Sequence, residues 1–153
     1  MPLRRTSPKL AAAVIALLLS PLSHAASATP VGTWKTIDDA TGEPKAIIRI
    51  VEEQGELKGK LTRYFKPERE VTICRKCDGA LKDKSVVGMQ ILSGLRRDGV
   101  RWKDGKILNP EDGRFYSVEM SMTDEGSTLK VRGYFGVSLL GRTQLWQRVP
   151  DNQ

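Results

Sequence analysis

The sequence predicts an all-β protein, a small antiparallel up-and-down barrel of about eight strands preceded by a cleaved signal peptide. Three observations predict it. Turn dipeptides ending in glycine recur at short intervals, the segments between them alternate apolar and polar residues, and the first 25 residues differ in composition from the rest.

The N-terminal segment has three parts. Arg4, Arg5 and Lys9 form a positive head, Leu10 to Leu19 form an uncharged apolar run, and Ser20-Pro21 break it ahead of Ser23-His24-Ala25. Small residues at Ser23 and Ala25 suit a signal peptidase, and the run is shorter than the roughly 20 residues a bilayer span needs. Thr6, Ser7 and Pro8 follow the Arg4-Arg5 pair where a twin-arginine signal wants apolar residues, so general secretion is expected. No cysteine stands near the cleavage point, which argues against a lipid anchor. The expected division is a signal peptide over 1–25, a lead-in over 26–30 and one barrel domain over 31–150. The mature product is expected to be periplasmic or secreted, with no transmembrane segment.

Cleavage alters the available chemistry. His24 is the only histidine, so the mature chain has no imidazole to act as a base or metal ligand. The 128 remaining residues carry 22 bases and 18 acids, a net charge of +4, and are enough for a real core.

Turn signals stand at Thr41-Gly42, Gln54-Gly55, Asp78-Gly79, Asp98-Gly99, Asp104-Gly105, Asp112-Gly113 and Glu125-Gly126. Glycine accepts positive φ without a Cβ clash, and such pairs favour hairpins over long helices. Between them, Ala46, Ile48 and Ile50 share one face, and Tyr116, Val118, Met120 and Met122 form an apolar row. Strands are predicted near 31–37, 45–53, 56–65, 88–95, 100–103, 106–109, 114–123, 128–135 and 142–149, the two short ones readable as one interrupted strand. Residues 66–87 read as a long loop with a helical turn near Ala80 to Lys84. About eight strands make a barrel whose interior is filled or holds one ligand.

Charge is uneven along the chain. From Lys58 to Lys106 there are 14 bases and six acids. This basic segment is either a solvated face or an anion-facing rim, with Arg96, Arg97 and Arg101 as the rim candidates. Contact with anionic envelope components is therefore an expected partnership. Nucleic acid is not, because the segment lacks aromatic stacking motifs.

Cys74-Arg75-Lys76-Cys77 is the one reactive constellation. An oxidising compartment and a count of two cysteines favour a structural disulfide. Thiol exchange is the alternative, since Arg75 and Lys76 would lower a thiol pKa, although no helix or βαβ pattern follows. Metal binding is a third reading, with two ligands where a closed zinc site takes four. Haem attachment fails because Asp78 stands where that motif needs histidine. There is no G-x-S-x-G and no glycine-rich phosphate loop. Asp38, Asp39, Glu52 and Glu53 fall beside turns, where carboxylates are ordinarily solvated. No catalytic residue, metal or cofactor is assigned.

Gly32-Thr33-Trp34 opens the first strand and Trp146-Gln147-Arg148 closes the last. A closed barrel sets those strands side by side, so Trp34 can plug one end while the Arg148 guanidinium lies across its face. The G-T-W opening and late-strand arginine resemble the signature shared by lipocalins, fatty-acid-binding proteins and avidins, the calycin barrels. Gly32-Thr33-Trp34, Cys74-x-x-Cys77-x-Gly79, Gly105-Lys106-Ile107 with Asn109-Pro110, Gly113-x-x-Tyr116, Leu129-Lys130-Val131-Arg132-Gly133 and Gly141-Arg142-Thr143-Gln144-x-Trp146-x-Arg148 together resemble more specifically a family of small exported bacterial proteins catalogued as a domain of unknown function. That resemblance implies a lipocalin-like barrel with a small-ligand or lipid-binding role, and it implies no reaction.

The expected function is a binding module for a small apolar or lipid-like ligand, an anionic one if the basic segment rims the mouth. Its interior would be lined by Trp34, Ile48, Ile50, Leu61, Tyr116, Val118, Met120, Val131 and Phe135. The rivals are a thiol-disulfide redox protein using Cys74 and Cys77, and an envelope interaction protein with no small ligand.

Overall fold

The structure, a computed structural model, describes Met1 and residues 28–150. The expected signal peptide, Met1 apart, lies outside the described residues. Eight strands follow one another as a meander: β1 (Gly32–Ile37), β2 (Pro44–Glu53), β3 (Glu56–Tyr64), β4 (Gln90–Asp98), β5 (Arg101–Asn109), β6 (Arg114–Thr123), β7 (Thr128–Tyr134) and β8 (Arg142–Val149). Each pairs antiparallel with the next, and β8 returns to β1 with Trp34 opposite Arg148. Closure leaves no edge strand exposed.

The interrupted strand is resolved as one. Asp104-Gly105 is not a hairpin turn: Asp104 takes φ 61° inside β5, and the pairing with β6 shifts register between Trp102 and Gly105. A bulge of this kind bends a strand around a barrel without ending it.

In such a meander, alternate connections fall at the same end. Turns at 38–43, 110–113 and 135–141 and the long excursion 65–89 stand at one end; turns at 54–55, 99–100 and 124–127 stand at the other, with the lead-in at 28–31. The excursion folds back on itself, with Cys74 N–H donating to Lys84 O at 2.9 Å and Val86 N–H to Thr72 O at 2.9 Å. It contains short 3-10 turns at Pro67–Arg69 and Gly79–Leu81. Val86 and Met89 are buried, and Val71 and Leu81 pack on the main core.

The end carrying the lead-in is packed solid. Trp34, Ile50, Leu57, Leu92, Leu95, Val118, Met120 and Leu129 are all at most 1% exposed. The small residue at Gly105 makes this possible, because a Cβ there would collide with the Leu95 side chain and lie 2.9 Å from Val118 Cγ1. Burying a leucine of this kind contributes about 1.5–3 kcal/mol.

Candidate functional site

The other half of the barrel is hollow. A cavity of about 440 Å³ opens between the 38–43, 110–113 and 135–141 turns, within the range of small-molecule sites. Its walls are apolar: Ala46, Ile48, Leu61, Ile91, Ile107 and Val131, with Trp146 at the inner end. Alternation produces this lining, since inward positions two residues apart on each strand stack along the axis.

Polar groups are few and mostly committed. Thr36 Oγ1 accepts from Ala46 N–H at 3.1 Å and so serves the β1–β2 pairing. The Trp146 indole N–H donates to Gln144 Oε1 at 3.2 Å, and Gln144 Nε2 donates to Asp39 Oδ2 at 3.1 Å. Asp39 in turn pairs with Arg142, which completes a chain of contacts from the cavity floor to its mouth. The Tyr116 hydroxyl donates to Asp112 Oδ2 at 2.6 Å, and that bond raises the phenol pKa. Burial works to raise the Asp112 pKa, but the Tyr116 hydroxyl and the Arg114 backbone N–H outweigh it and hold the carboxyl below its ordinary value.

Tyr64 is the exception. It is buried in the cavity wall, and its hydroxyl makes no hydrogen bond among the described residues. Burial, reinforced by Glu70, pushes its pKa up to about 12. The group is thus a neutral O–H donor over the whole physiological range.

Acids outnumber bases at the mouth, with Asp38, Asp39 and Glu111 against Lys45 and Arg142. Lys45 Nζ lies 2.9 Å from Glu111, 3.3 Å from Glu70 and 3.8 Å from Asp38. Burial pulls the Lys45 pKa down, and the bond to Glu111 with the neighbouring carboxylates more than offsets it, so the ammonium is retained. Lys66 meets Glu43 at 2.6 Å.

Several expected site residues stand elsewhere. Ile48, Leu61, Tyr116 and Val131 line the cavity, whereas Trp34, Ile50, Val118 and Met120 pack in the solid half. Their alternation is correct; their height along the barrel axis differs. Phe135 is 73% exposed and sits at the mouth, edge-on to Tyr116 with ring centroids 6.3 Å apart. Arg96, Arg97 and Arg101 do not rim the cavity. They flank the 99–100 turn at the opposite end, where Arg96 pairs with Glu56, Arg97 lies 5.7 Å over Trp102, and Arg101 is 3.8 Å from Glu119. Consecutive residues around one hairpin share an end of the barrel, and this hairpin is at the sealed one.

Tyr64, Ile91, Ile107 and Gln144 went unrecognised in the sequence as lining residues. Gln144 and Trp146 share the inward face of β8 with Arg148, a period-two signal already present in the Trp146-x-Arg148 motif. Tyr64 ends its strand just before the excursion, and no local pattern distinguishes it.

At the sealed end, the Arg148 guanidinium lies 4.3 Å over the Trp34 ring. It donates to Gly126 O at 2.7 Å, Val31 O at 3.0 Å and Thr29 O at 2.6 Å. The Trp34 indole N–H donates to Pro30 O at 2.7 Å. Gly32, at φ +137°, leaves room for the guanidinium: a Cβ there would lie 2.6 Å from Arg148 Nη1. One side chain therefore ties the lead-in, the 124–127 turn and the barrel plug together.

Cys74 and Cys77 form a disulfide, and both residues are at most 1% exposed. Cys74 Sγ is 3.8 Å from Pro110 O. Gly113, at φ +73°, packs so closely that a Cβ would overlap the Lys76 carbonyl. The bridge buttresses the 110–113 turn, whose Pro110 and Glu111 border the cavity.

The family described as "Uncharacterized protein conserved in bacteria (DUF2147)" matches residues 32–148. Among solved structures, the chain is similar to one titled "Protein HP1028 from the human pathogen Helicobacter pylori belongs to the lipocalin family". The two share 21% identity with a TM-score of 0.68, over 79% of this chain and 83% of that one. No curated protein matches the chain.

Proposed function

We propose that this chain, which belongs to the bacterial family matched over residues 32–148, is an exported binding protein that takes a small, uncharged apolar or lipid-like ligand into its barrel. The observation that carries the reading is the asymmetry of the interior: one half is packed without space, and the other encloses about 440 Å³ of apolar-walled cavity open at the end. A protein with no ligand would gain stability by filling that space, because each unfilled methylene forfeits burial and dispersion energy. The lipocalin-like barrel is consistent with such a role.

The chemistry of the mouth favours an uncharged ligand over an anionic one. Lys45, Lys66 and Arg142 already face carboxylates, so an anion would have to displace an ion pair made within the protein. The apolar wall would supply the affinity, and the Tyr64 hydroxyl would donate to one acceptor on the ligand. Thiol exchange is disfavoured by burial, since an attacking thiolate needs access to a sulfur atom.

Native mass spectrometry of protein recovered from its own cell envelope tests both halves of the proposal. The expected result is a chain beginning at Ala26 with a retained neutral lipid-like mass. A neutral apolar dye such as N-phenyl-1-naphthylamine should also bind, and Val131→Trp, which fills the cavity, should abolish that binding. A full-length chain without ligand, or dye binding indifferent to Val131→Trp, would overturn the reading.

A further inference from the structure

A second hollow stands beside the cavity at the open end of the barrel. It measures about 250 Å³, and Asp38, Lys45 and Glu111 border both spaces. The rest of its wall is mainly polar, with Thr41, Glu43, Lys66, Arg69 and Glu70. Three segments far apart in the chain build it: the 38–43 turn with the start of β2, the first part of the 65–89 excursion, and the 110–113 turn. An apolar space and a polar one therefore share an edge at the mouth.

The polar hollow has spare acceptors and no spare cation. Lys45 faces Asp38, Glu70 and Glu111, while Lys66 and Arg69 both meet Glu43, at 2.6 and 3.5 Å. Glu70 meets Lys45 through Oε2 and Glu111 through Oε1, so Glu70 Oε1 and Glu111 Oε2 have no protein donor among the described residues. The Glu70 side chain is only 13% exposed, which leaves it little bulk water. Tyr64 supplies the complementary donor. It is 8% exposed and lines the cavity opposite Ala46, and its hydroxyl has no partner among the described residues. No fully buried side-chain polar atom among those residues lacks a partner, so the Tyr64 oxygen keeps surface that faces open space. Phe65 N–H donates to Lys45 O at 3.0 Å, which fixes Tyr64 beside the border of the two hollows. Burial is the main cause of the raised Tyr64 pKa, but Glu70, Lys45 and Glu111 also act on it, so the hydroxyl is within electrostatic reach of the polar hollow.

We propose that the two hollows form one site for a monoacyl ester of a small polyol, with the acyl chain in the barrel, the ester carbonyl on the Tyr64 hydroxyl, and the polyol hydroxyls donating to Glu70 and Glu111. The proposal rests on the ligand-binding reading above and narrows it. Size sets the number of chains. At about 30 Å³ for a water-sized group, the 440 Å³ cavity holds roughly 15 carbon-sized atoms and the 250 Å³ hollow roughly 8. One chain of about ten to twelve carbons fits that space, and two do not. Charge sets the head. A carboxylate or phosphate would face the spare glutamate oxygens, and an ammonium would meet Lys45 at the centre of its cluster. Neutral hydroxyls donate to those oxygens, and the carbonyl takes a donor that no protein acceptor claims, a pairing that an analogue lacking either group forfeits.

The experiment is displacement of N-phenyl-1-naphthylamine from residues 26–153, which hold all eight strands, by a series of ten-carbon chains at neutral pH. Monodecanoylglycerol should bind about tenfold more tightly than methyl decanoate, although the methyl ester is the more apolar, and more tightly than decanoic acid or decylamine. Tyr64→Phe removes only the hydroxyl. It should weaken monodecanoylglycerol about three- to tenfold while leaving the dye and decyl glyceryl ether, which has no carbonyl, unchanged. Glu70→Gln should narrow the gap between the glycerol and methyl esters, and the Tyr64→Phe result stands by itself if Glu70→Gln disturbs the excursion. Equal affinity for the two esters, tighter binding of the acid or the amine, or indifference of monodecanoylglycerol to Tyr64→Phe would each overturn the two-part site while the dye-binding barrel stands. A parent chain that binds neither dye nor ester would overturn both readings.

Discussion

Truncating Trp34 and Arg148, singly and together, probes the sealed end of the barrel. Trp34 is fully buried, and Trp34→Ala should cost about 3–5 kcal/mol, the usual range for a large core aromatic. Arg148→Ala removes a stacked cation, worth about 0.5–2 kcal/mol, and three charge-assisted hydrogen bonds to backbone carbonyls. Each such bond is worth about 1.5–3 kcal/mol when shielded, but the Thr29 carbonyl is exposed and water replaces its partner readily. The stacking and the two part-buried bonds together put the cost for Arg148 at about 3.5–8 kcal/mol. The stacking is counted in both single variants, so the double variant should fall short of their sum by about 1–2 kcal/mol. Urea unfolding followed by far-ultraviolet circular dichroism measures all four chains. Global stabilities of about 5–15 kcal/mol leave the double alanine chain near its limit, so Trp34→Phe with Arg148→Lys provides a milder cycle. Additivity within about 0.5 kcal/mol in both cycles would show that the contact at 4.3 Å contributes no coupling.

Two further outcomes follow from the structure. Cys74→Ser/Cys77→Ser opens a loop of only a few residues and should cost about 2 kcal/mol from loop closure, with dye affinity changed less than about threefold because the cavity walls are unaltered; lost binding with intact stability, read by dye titration beside urea unfolding, would mean that the bridge acts on the site directly. For Tyr64, burial raises the folded pKa to about 12, above the ordinary value of 10.0. The neutral phenol is favoured in the folded state, so its stabilisation is fully present below pH 10 and is lost as pH rises towards 12. Ultraviolet titration should show one of the three tyrosines ionising last, and Tyr64→Phe should remove that component and flatten the alkaline loss of stability.

Strand identity was legible in the sequence because it is a local property. The alternation of Tyr116, Val118 and Met120 against Ser117 and Glu119 needs nothing beyond its own segment to predict an inward and an outward face. The pairing of Trp34 with Arg148 was legible for a different reason: closure of a meander sets its first and last strands together wherever the remaining residues lie. Alternation gives the side of the sheet and says nothing about height along the axis. Only the closed barrel divided Ile48 and Val131, which border empty space, from Ile50 and Met120, which fill it. Height also decided the charges. Arg96, Arg97 and Arg101 form a basic cluster in sequence, but their hairpin turns at the sealed end, while the mouth is assembled from Asp38, Lys45, Glu70, Glu111 and Arg142 across five separate segments. Periodicity is written into neighbouring residues; a cavity and its rim are made by residues far apart in the chain, and tertiary closure alone brings them into register.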